Sequence, residues 1–416
     1  MHEPVAVPSR SLEALRPLVE AEVIEALREL VAPLRGLRVL HVNATAFGGG
    51  VAEILATHIP LLRDLGLEAE WRVIHGDDAF FRVTKAMHNG LQGMDIAFTP
   101  PMQEIWKEGN RQNAMSLPGD YDVIVIHDPQ PVGIPLQRER RGARFWIWRC
   151  HIDTSNPNRV FWSFLLPYLA VYDAAVFTMA EYVGPGFPVP RVEIIPPTID
   201  PLSPKNAPMD LGEARAIVAR FGVDVNRPLL LQVSRFDPWK DPLGVIDAYR
   251  LVKEERPEVQ LALVGSMAHD DPEGWFYYDR TLRHAGEDPD LYVLHNFHGV
   301  GAWEVNAFQR VADVVIQKSL REGFGLTVTE ALWKGKPVVG GRVGGIPLQV
   351  LDGETGFLVS SVEECAGRAL ELLNQPEKAR AMGERGREHV RQHFLCTRGL
   401  RDELMLLRSL LDGHAH

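Results

Sequence analysis

Cysteine is scarce, with three residues (Cys150, Cys365 and Cys396) that are widely spaced and odd in number. That excludes a disulfide framework and a CxxC metal knuckle. No stretch approaches the roughly 20 uninterrupted apolar residues that a bilayer span requires, so no membrane partner is expected. Met1 to Arg10 lacks a basic segment followed by an apolar core. No signal peptide is therefore expected, and the cytoplasm is the expected compartment. Positive charge is also in deficit, the formal net charge being −11. Nucleic acid is not an expected partner, because phosphate backbones select basic surfaces. A small phosphorylated ligand stays open, since two or three well-placed cations can hold a diphosphate inside an acidic protein. A Walker loop and a GxGxxG dinucleotide fingerprint are both missing.

Hydrophobic residues make up 45% of the chain and charged residues 24%, the mix of a globular protein. A length of 416 residues exceeds one ordinary core and predicts two or three domains. Ser11 to Leu34 carries apolar residues at helical spacing. β-rich runs follow at Leu37 to Asn43, Ala69 to Ile74, Val123 to Ile126, Phe145 to Trp148 and Ala174 to Thr178. Between Ile195 and Pro204 stand four prolines in ten positions, which no ordinary helix or central strand accommodates and which predict a linker. Strand-like runs then resume at Leu229 to Val233, Leu261 to Val264, Leu291 to Leu294, Val314 to Ile316 and Val338 to Val339. Helical patterns cover Gly244 to Glu255, Leu326 to Lys334 and the region from about Val362. Strands alternating with helices predict parallel sheets covered on both faces. Two doubly wound α/β domains predict a ligand cleft where strand C-termini converge.

Four segments carry chemistry. Gly48-Gly49-Gly50 follows a strand and opens a helix, where flexible backbone and free N–H groups suit an anion. Arg235 and Lys240 lie in the loop after Leu229 to Val233, a forked donor and a point charge suited to adjacent phosphates. Glu322 and Glu330 have seven residues between them, Gly323-Phe324-Gly325-Leu326-Thr327 among these. The glycine turn would present N–H groups to phosphate at a helix start, and the two carboxylates could accept from sugar and ribose hydroxyls. His151 and Asp153 end another strand and share a side if the chain stays extended. Two ligands are too few for a closed metal site. Asp288-Pro289-Asp290 reads as a polar loop despite its Asp-x-Asp pattern, and Asn43-Ala44-Thr45 as a sequon that a cytoplasmic chain never exposes to glycosylation.

In this order the glycine loop, the Arg235 and Lys240 pair and the double-glutamate motif resemble a retaining GT-B glycosyltransferase of glycosyltransferase family 4. Longer strings are similar to the trehalose glycosyltransferring synthases: Ala46 to Glu53, Trp148 to Asp153, Val233 to Lys240 and Met267 to Trp275. The resemblance spans about Val39 to about Phe394. It implies two facing Rossmann-like domains, 1–198 on the acceptor side and 199–394 binding the nucleotide sugar, with helix 395–416 packing back on the first. It further implies Arg235 and Lys240 on the diphosphate, Glu322 on the donor glucose, Glu330 on the ribose and the backbone at Gly299 and Val300 on the base. Gly323 to Thr327, Gly48 and Gly49 would complete the donor site, with His151 beside the transferred sugar. Gly50 and Asp153 would face the acceptor. The implied reaction is NDP-glucose (UDP-, ADP- or GDP-) plus glucose giving α,α-trehalose and NDP, reversibly, with no cofactor or metal and a homodimer as the candidate assembly. A trehalose phosphorylase, a nucleotide-sugar epimerase and a non-enzymatic sensor are the alternatives. Asp241-Pro242 departs from the glycine that many relatives carry there.

Overall fold

The computed structural model describes residues 3–47, 49–138, 142–267 and 272–413. It divides into two units, Met1–Pro197 with Cys396–His416, and Thr198–Leu395.

Unit 1 is built on β1 (Arg38–Asn43), β2 (Glu68–Val73), β3 (Tyr121–His127), β4 (Ala143–Arg149), β5 (Ala174–Phe177) and β6 (Val192–Ile194). These form one parallel sheet in the order β2-β1-β3-β4-β5-β6. Its helices are α1 (Ala21–Val31), α2 (Gly50–Asp64), α3 (Asp78–Leu91), α4 (Pro100–Ser116) and α5 (Arg159–Leu169). Residues 12–34 do not form the single helix that their periodicity suggests. A 3-10 turn at Leu12–Leu15, then α1, then a second 3-10 turn at Ala32–Leu34 replace it. Pro17 and Pro33 account for this, since proline cannot donate to the preceding turn. Val123 to Ile126 are all buried, as expected of a strand covered on both faces. Trp106, Trp146, Trp148 and Phe161 fill the core between sheet and helices.

Unit 2 is a second parallel sheet, from β7 (Leu229–Val233), β8 (Gln260–Gly265), β9 (Leu291–His295), β10 (Val314–Gln317), β11 (Val338–Gly341) and β12 (Gly356–Val359). Its order is β12-β11-β10-β7-β8-β9, the doubly wound pattern of a dinucleotide-binding half-sheet pair. The helices are α6 (Leu211–Ala219), α7 (Pro242–Glu255), α8 (Pro272–Ala285), α9 (Ala302–Val311), α10 (Leu326–Trp333), α11 (Ile346–Gln349), α12 (Val362–Asn374) and α13 (Pro376–His393). Its core is separate, around Tyr249, Val252, Leu261, Ile316 and Met382. From α13 the chain returns to unit 1 as α14 (Cys396–Asp412), which lies against α1 and α2. Leu400, Leu404 and Leu407 of α14 are fully buried. Among the described residues no helix is long and apolar enough to cross a membrane.

Both sheets have a switch point, where the strand order reverses and the loops on either side diverge. It falls between β1 and β3 in unit 1 and between β7 and β10 in unit 2. Ligands of open α/β sheets bind at such points, beyond the strand C-termini.

Candidate active site

The switch point of unit 2 gathers several of the residues singled out in the sequence. Lys240 comes from the loop after β7 and Glu322 from the loop after β10, and they meet with Nζ 2.6 Å from Oε2. Glu322 is buried, and the Ser319 hydroxyl also donates to its Oε2 at 3.2 Å. The loop that carries Lys240 is rigid by local chemistry. Asp237 caps the 3-10 turn Pro238–Lys240, accepting from the backbone of Trp239 and Lys240. Gln232 of β7 donates to the Lys240 carbonyl at 2.7 Å. The Leu320 N–H donates to the Trp239 carbonyl at 2.7 Å, and the Arg321 guanidinium stands 5.4 Å from the Trp239 ring. Lys318, buried at the end of β10, pairs with Asp241. The two loops are therefore clamped together. Asp241 itself has φ 50, in the left-handed region, while its side chain caps α7 through Gly244. Glycine fits that backbone, and aspartate is among the few other residues that tolerate it.

Arg235 is half-exposed and pairs with Asp237 at 3.0 Å, leaving its guanidinium at the surface of the same loop. Gly323 to Gly325 lead into α10, and Gly325 takes φ 85 to make the turn. Phe324 is buried, its carbonyl accepting from Gln349. Leu326 and Thr327 open α10, where the first-turn N–H groups have no partner within the helix. Glu330 is buried on α10, with Lys205 Nζ 3.9 Å from its carboxylate. Lys334, one turn on, donates to Asn206 at 2.9 Å and to the Glu330 carbonyl at 3.1 Å. Burial pushes the Lys334 ammonium down to about 7, against the opposing pull of Glu330. Gly299 (φ 86) and Val300 lie beyond β9, at the end of the 3-10 turn Asn296–His298.

In unit 1, Gly49 is the extended N-cap of α2 and Gly50 its first residue, directly beyond β1. Gly48 lies outside the described residues, as do 268–271 of the string Met267 to Trp275. His151 follows β4, its backbone N–H donating to Asp128 Oδ1 at 2.7 Å and its Nε2 3.0 Å from His127 Nδ1. The extended course assumed for His151 and Asp153 does not occur, because the chain leaves β4 at Arg149 and bends at Ile152. Asp153 instead accepts from the backbone and hydroxyl of Ser155, at 3.0 and 2.6 Å, a local turn that accounts for its carboxylate. Asp128 stands in the left-handed region at φ 62, and burial pushes its carboxyl up to about 7, the His151 N–H and Arg149 opposing.

Two other sequence signals have structural explanations. Asp288 and Asp290 share Lys253, at 2.6 and 2.9 Å, and Asp290 also pairs with Arg227 at 2.7 Å. Asn43 is buried and accepts from Trp71 Nε1 at 2.7 Å. Among the described residues no group of three or more His, Cys, Asp or Glu is arranged to hold a metal ion. Sequence reasoning passed over Lys205, Lys318 and the polar residues beneath His151. The available signal was His41, a polar residue inside the otherwise apolar run of β1.

Comparison with known proteins assigns the chain to a family. Residues 41–184 match the family described as trehalose synthase, N-terminal domain, and residues 214–389 match the glycosyl transferases group 1. A trehalose synthase from Rubrobacter xylanophilus is 56% identical over 409 residues, covering 97% of both chains. The chain belongs to the trehalose synthase family. It is a glycosyltransferase. A second trehalose synthase, from Pyrococcus horikoshii, is 49% identical over 96% of this chain and 97% of its own. Among solved structures, an α,α-trehalose-phosphate synthase from Burkholderia xenovorans superimposes with a TM-score of 0.71 at 16% identity, covering 90% of this chain and 100% of that one. A trehalose-6-phosphate structure from E. coli gives 0.70 at 15% identity, covering 89% and 98%. At such identity the likeness concerns the fold, which is GT-B.

Proposed function

We propose that the protein transfers glucose with retention from an NDP-glucose to free glucose, giving α,α-trehalose and NDP, and that it also runs this reaction in reverse. The observation that carries the reading is the Lys240 and Glu322 contact at the switch point of unit 2, in a chain of this family. It sets a cation for phosphate beside a carboxylate for sugar hydroxyls.

The hard step is departure of the nucleoside diphosphate from the anomeric carbon. Negative charge grows on the leaving oxygen, and fixed donors aimed there give the largest stabilisation. Arg235, Lys240 and the N–H groups from Gly323 to Thr327 fill that role, with Glu322 accepting from the donor glucose and Glu330 from the ribose. Gly49 and Gly50 contribute backbone N–H groups, Gly299 and Val300 meet the base, and the His151 ring meets the transferred sugar. As the C1–O bond to phosphate breaks, the acceptor hydroxyl forms the new C1–O bond on the same face and gives its proton to the departing phosphate oxygen. Glu322 is committed to Lys240 and Ser319, which suits a binding carboxylate better than a nucleophile poised for covalent catalysis. Positive charge comes from side chains in this scheme, so treatment with EDTA leaves the rate unchanged.

Trehalose phosphorolysis is the second reading. The trehalose phosphorylase of Pleurotus pulmonarius is 30% identical over 91% of this chain, but the match spans 58% of that protein. The synthases match at 49 to 56% over nearly their whole length, which favours the synthase reading. Incubation with UDP-, ADP- or GDP-glucose plus glucose, without and then with phosphate, separates the two. Trehalose and NDP formed without phosphate support the synthase, and product only from glucose 1-phosphate overturns it.

A further inference from the structure

One buried cluster in unit 1 stands behind His151 and has no role in the scheme above. Glu403 on α14 reaches under the sheet, where its Oε1 lies 3.3 Å from His41 Nε2 on β1. Its Oε2 lies 2.8 Å from His58 Nε2 on α2 and 3.3 Å from the Arg149 guanidinium at the end of β4. His41 Nδ1 is 3.0 Å from His127 Nε2 on β3, and His127 Nδ1 is 3.0 Å from His151 Nε2. The chain Glu403, His41, His127, His151 thus crosses the switch point of unit 1, each ring within hydrogen-bond distance of the next. The last two rings are nearly parallel, 11° apart. No described residue bonds the Nδ1 of His151.

A neutral imidazole has one N–H and one bare nitrogen, and an ionised carboxylate can only accept. Those two rules leave a single arrangement. The His41 Nε2 contact with Glu403 is a close approach rather than an aligned hydrogen bond, but a bare Nε2 there would set its lone pair against the carboxylate's, so His41 carries its proton on Nε2 and offers a bare Nδ1. His127 must then donate from Nε2 and accept at Nδ1, so His151 donates from Nε2. We propose that Glu403, acting through His41 and His127, holds the His151 proton on Nε2 and so presents a bare Nδ1 as acceptor for a hydroxyl of the bound sugar. This rests on the reading that His151 meets the sugar; the tautomer itself does not.

The electrostatics favour the same state. Burial lowers His41, against the pull of Glu403, and it lowers His127 and His151 well below the usual imidazole range, with Arg149 and neighbouring rings adding to it. Burial alone would raise Glu403, but the groups around its carboxylate, His58 foremost, outweigh it and hold it well below its ordinary value. The ends of the chain are therefore a carboxylate and a neutral ring. Glu403, His41 and His127 are positioning residues, and they do not touch substrate.

The test uses the whole enzyme labelled with ¹⁵N at histidine and no substrate, reading which nitrogen of each ring carries the proton near neutral pH. His41, His127 and His151 are expected to be neutral and protonated on Nε2. A His151 found protonated on Nδ1, or charged, overturns the proposal whatever the enzyme makes. His127→Phe should shift His151 to a mixture of tautomers and lower kcat/KM for trehalose synthesis by about tenfold, the scale of one lost hydrogen bond. His127→Gln, whose amide can donate to His41 and accept from His151, should restore both. Loss of activity in His127→Phe with the His151 tautomer unmoved also overturns it. Failure of the proposed reaction would appear separately, as absence of trehalose from an enzyme with the expected tautomers.

Discussion

Lys240 and Glu322 stand in each other's field, so altering either one changes the electrostatics of the other. Lys240→Met takes the paired cation away from a buried carboxylate and removes the charge proposed to face phosphate. We expect kcat to fall about 100- to 1000-fold, as when one fixed transition-state donor is lost. Initial rates with UDP- or ADP-glucose check it, and a change confined to KM would count against the role. Asp128 gives a pH-dependent prediction. Its carboxyl is raised from 3.8 to about 7, so between those values the folded state holds a proton that the unfolded state has released. Its contribution to stability is complete below 3.8 and is lost as pH rises through about 7. Asp128→Asn keeps the acceptor for His151 N–H and tolerates φ 62. Thermal denaturation across pH 4 to 8 should show the wild type losing stability relative to the variant as pH rises; parallel profiles would refute the assignment.

At the scale of elements, the turn into α10 is shaped from beneath by Gly345, the N-cap of α11. A Cβ there would stand 2.8 Å from Phe324 Cα and 2.9 Å from the Gly323 carbonyl oxygen. Gly345→Ala must push the glycine turn away from its present course. Overpacking of this kind costs about 1–3 kcal/mol, and we expect KM for the nucleotide sugar to rise, measured by steady-state kinetics with a melting curve as control. Most strands were legible because a strand buried on both faces reads as a continuous apolar run, as Val123 to Ile126 and Leu229 to Val233 do. β6 and β12 escaped because one has three residues with exposed ends and the other opens on glycine. The positions of Arg235, Lys240 and Glu322 beyond strand ends were readable because a loop directly after a strand inherits that strand's position. The course of the chain from His151 to Asp153 was not readable, because it depends on a bend that no periodicity announces. Glu403 carried no signal at all. It lies on a helix far along the sequence from His41, and only folding makes them neighbours.

At the scale of the molecule, unit 2 is an insertion between two parts of unit 1, since α14 completes the first unit after the second has been traversed. Residues 198–395 contain a whole sheet and a core of their own, whereas residues 1–197 lack the helix that covers α1 and α2. Expressed alone, 198–395 should give a dispersed NMR spectrum and a cooperative melt. Expressed alone, 1–197 should not, because Ile24, Leu27 and Leu55 would lose apolar cover and His41 and His58 their carboxylate. Adding a peptide of 396–413 in trans should recover structure, which circular dichroism would detect.

The return of α14 also sets an order in time. On the ribosome, unit 2 is free to fold as it emerges, while unit 1 waits with an open flank until α14 has been made. Glu403 arrives with that helix. A chain stalled within unit 2 can therefore possess the glycine turn and the Lys240 contact, yet its histidines have no carboxylate to orient them. Chain completion, rather than formation of the first sheet, is the moment at which the His151 ring acquires its orientation.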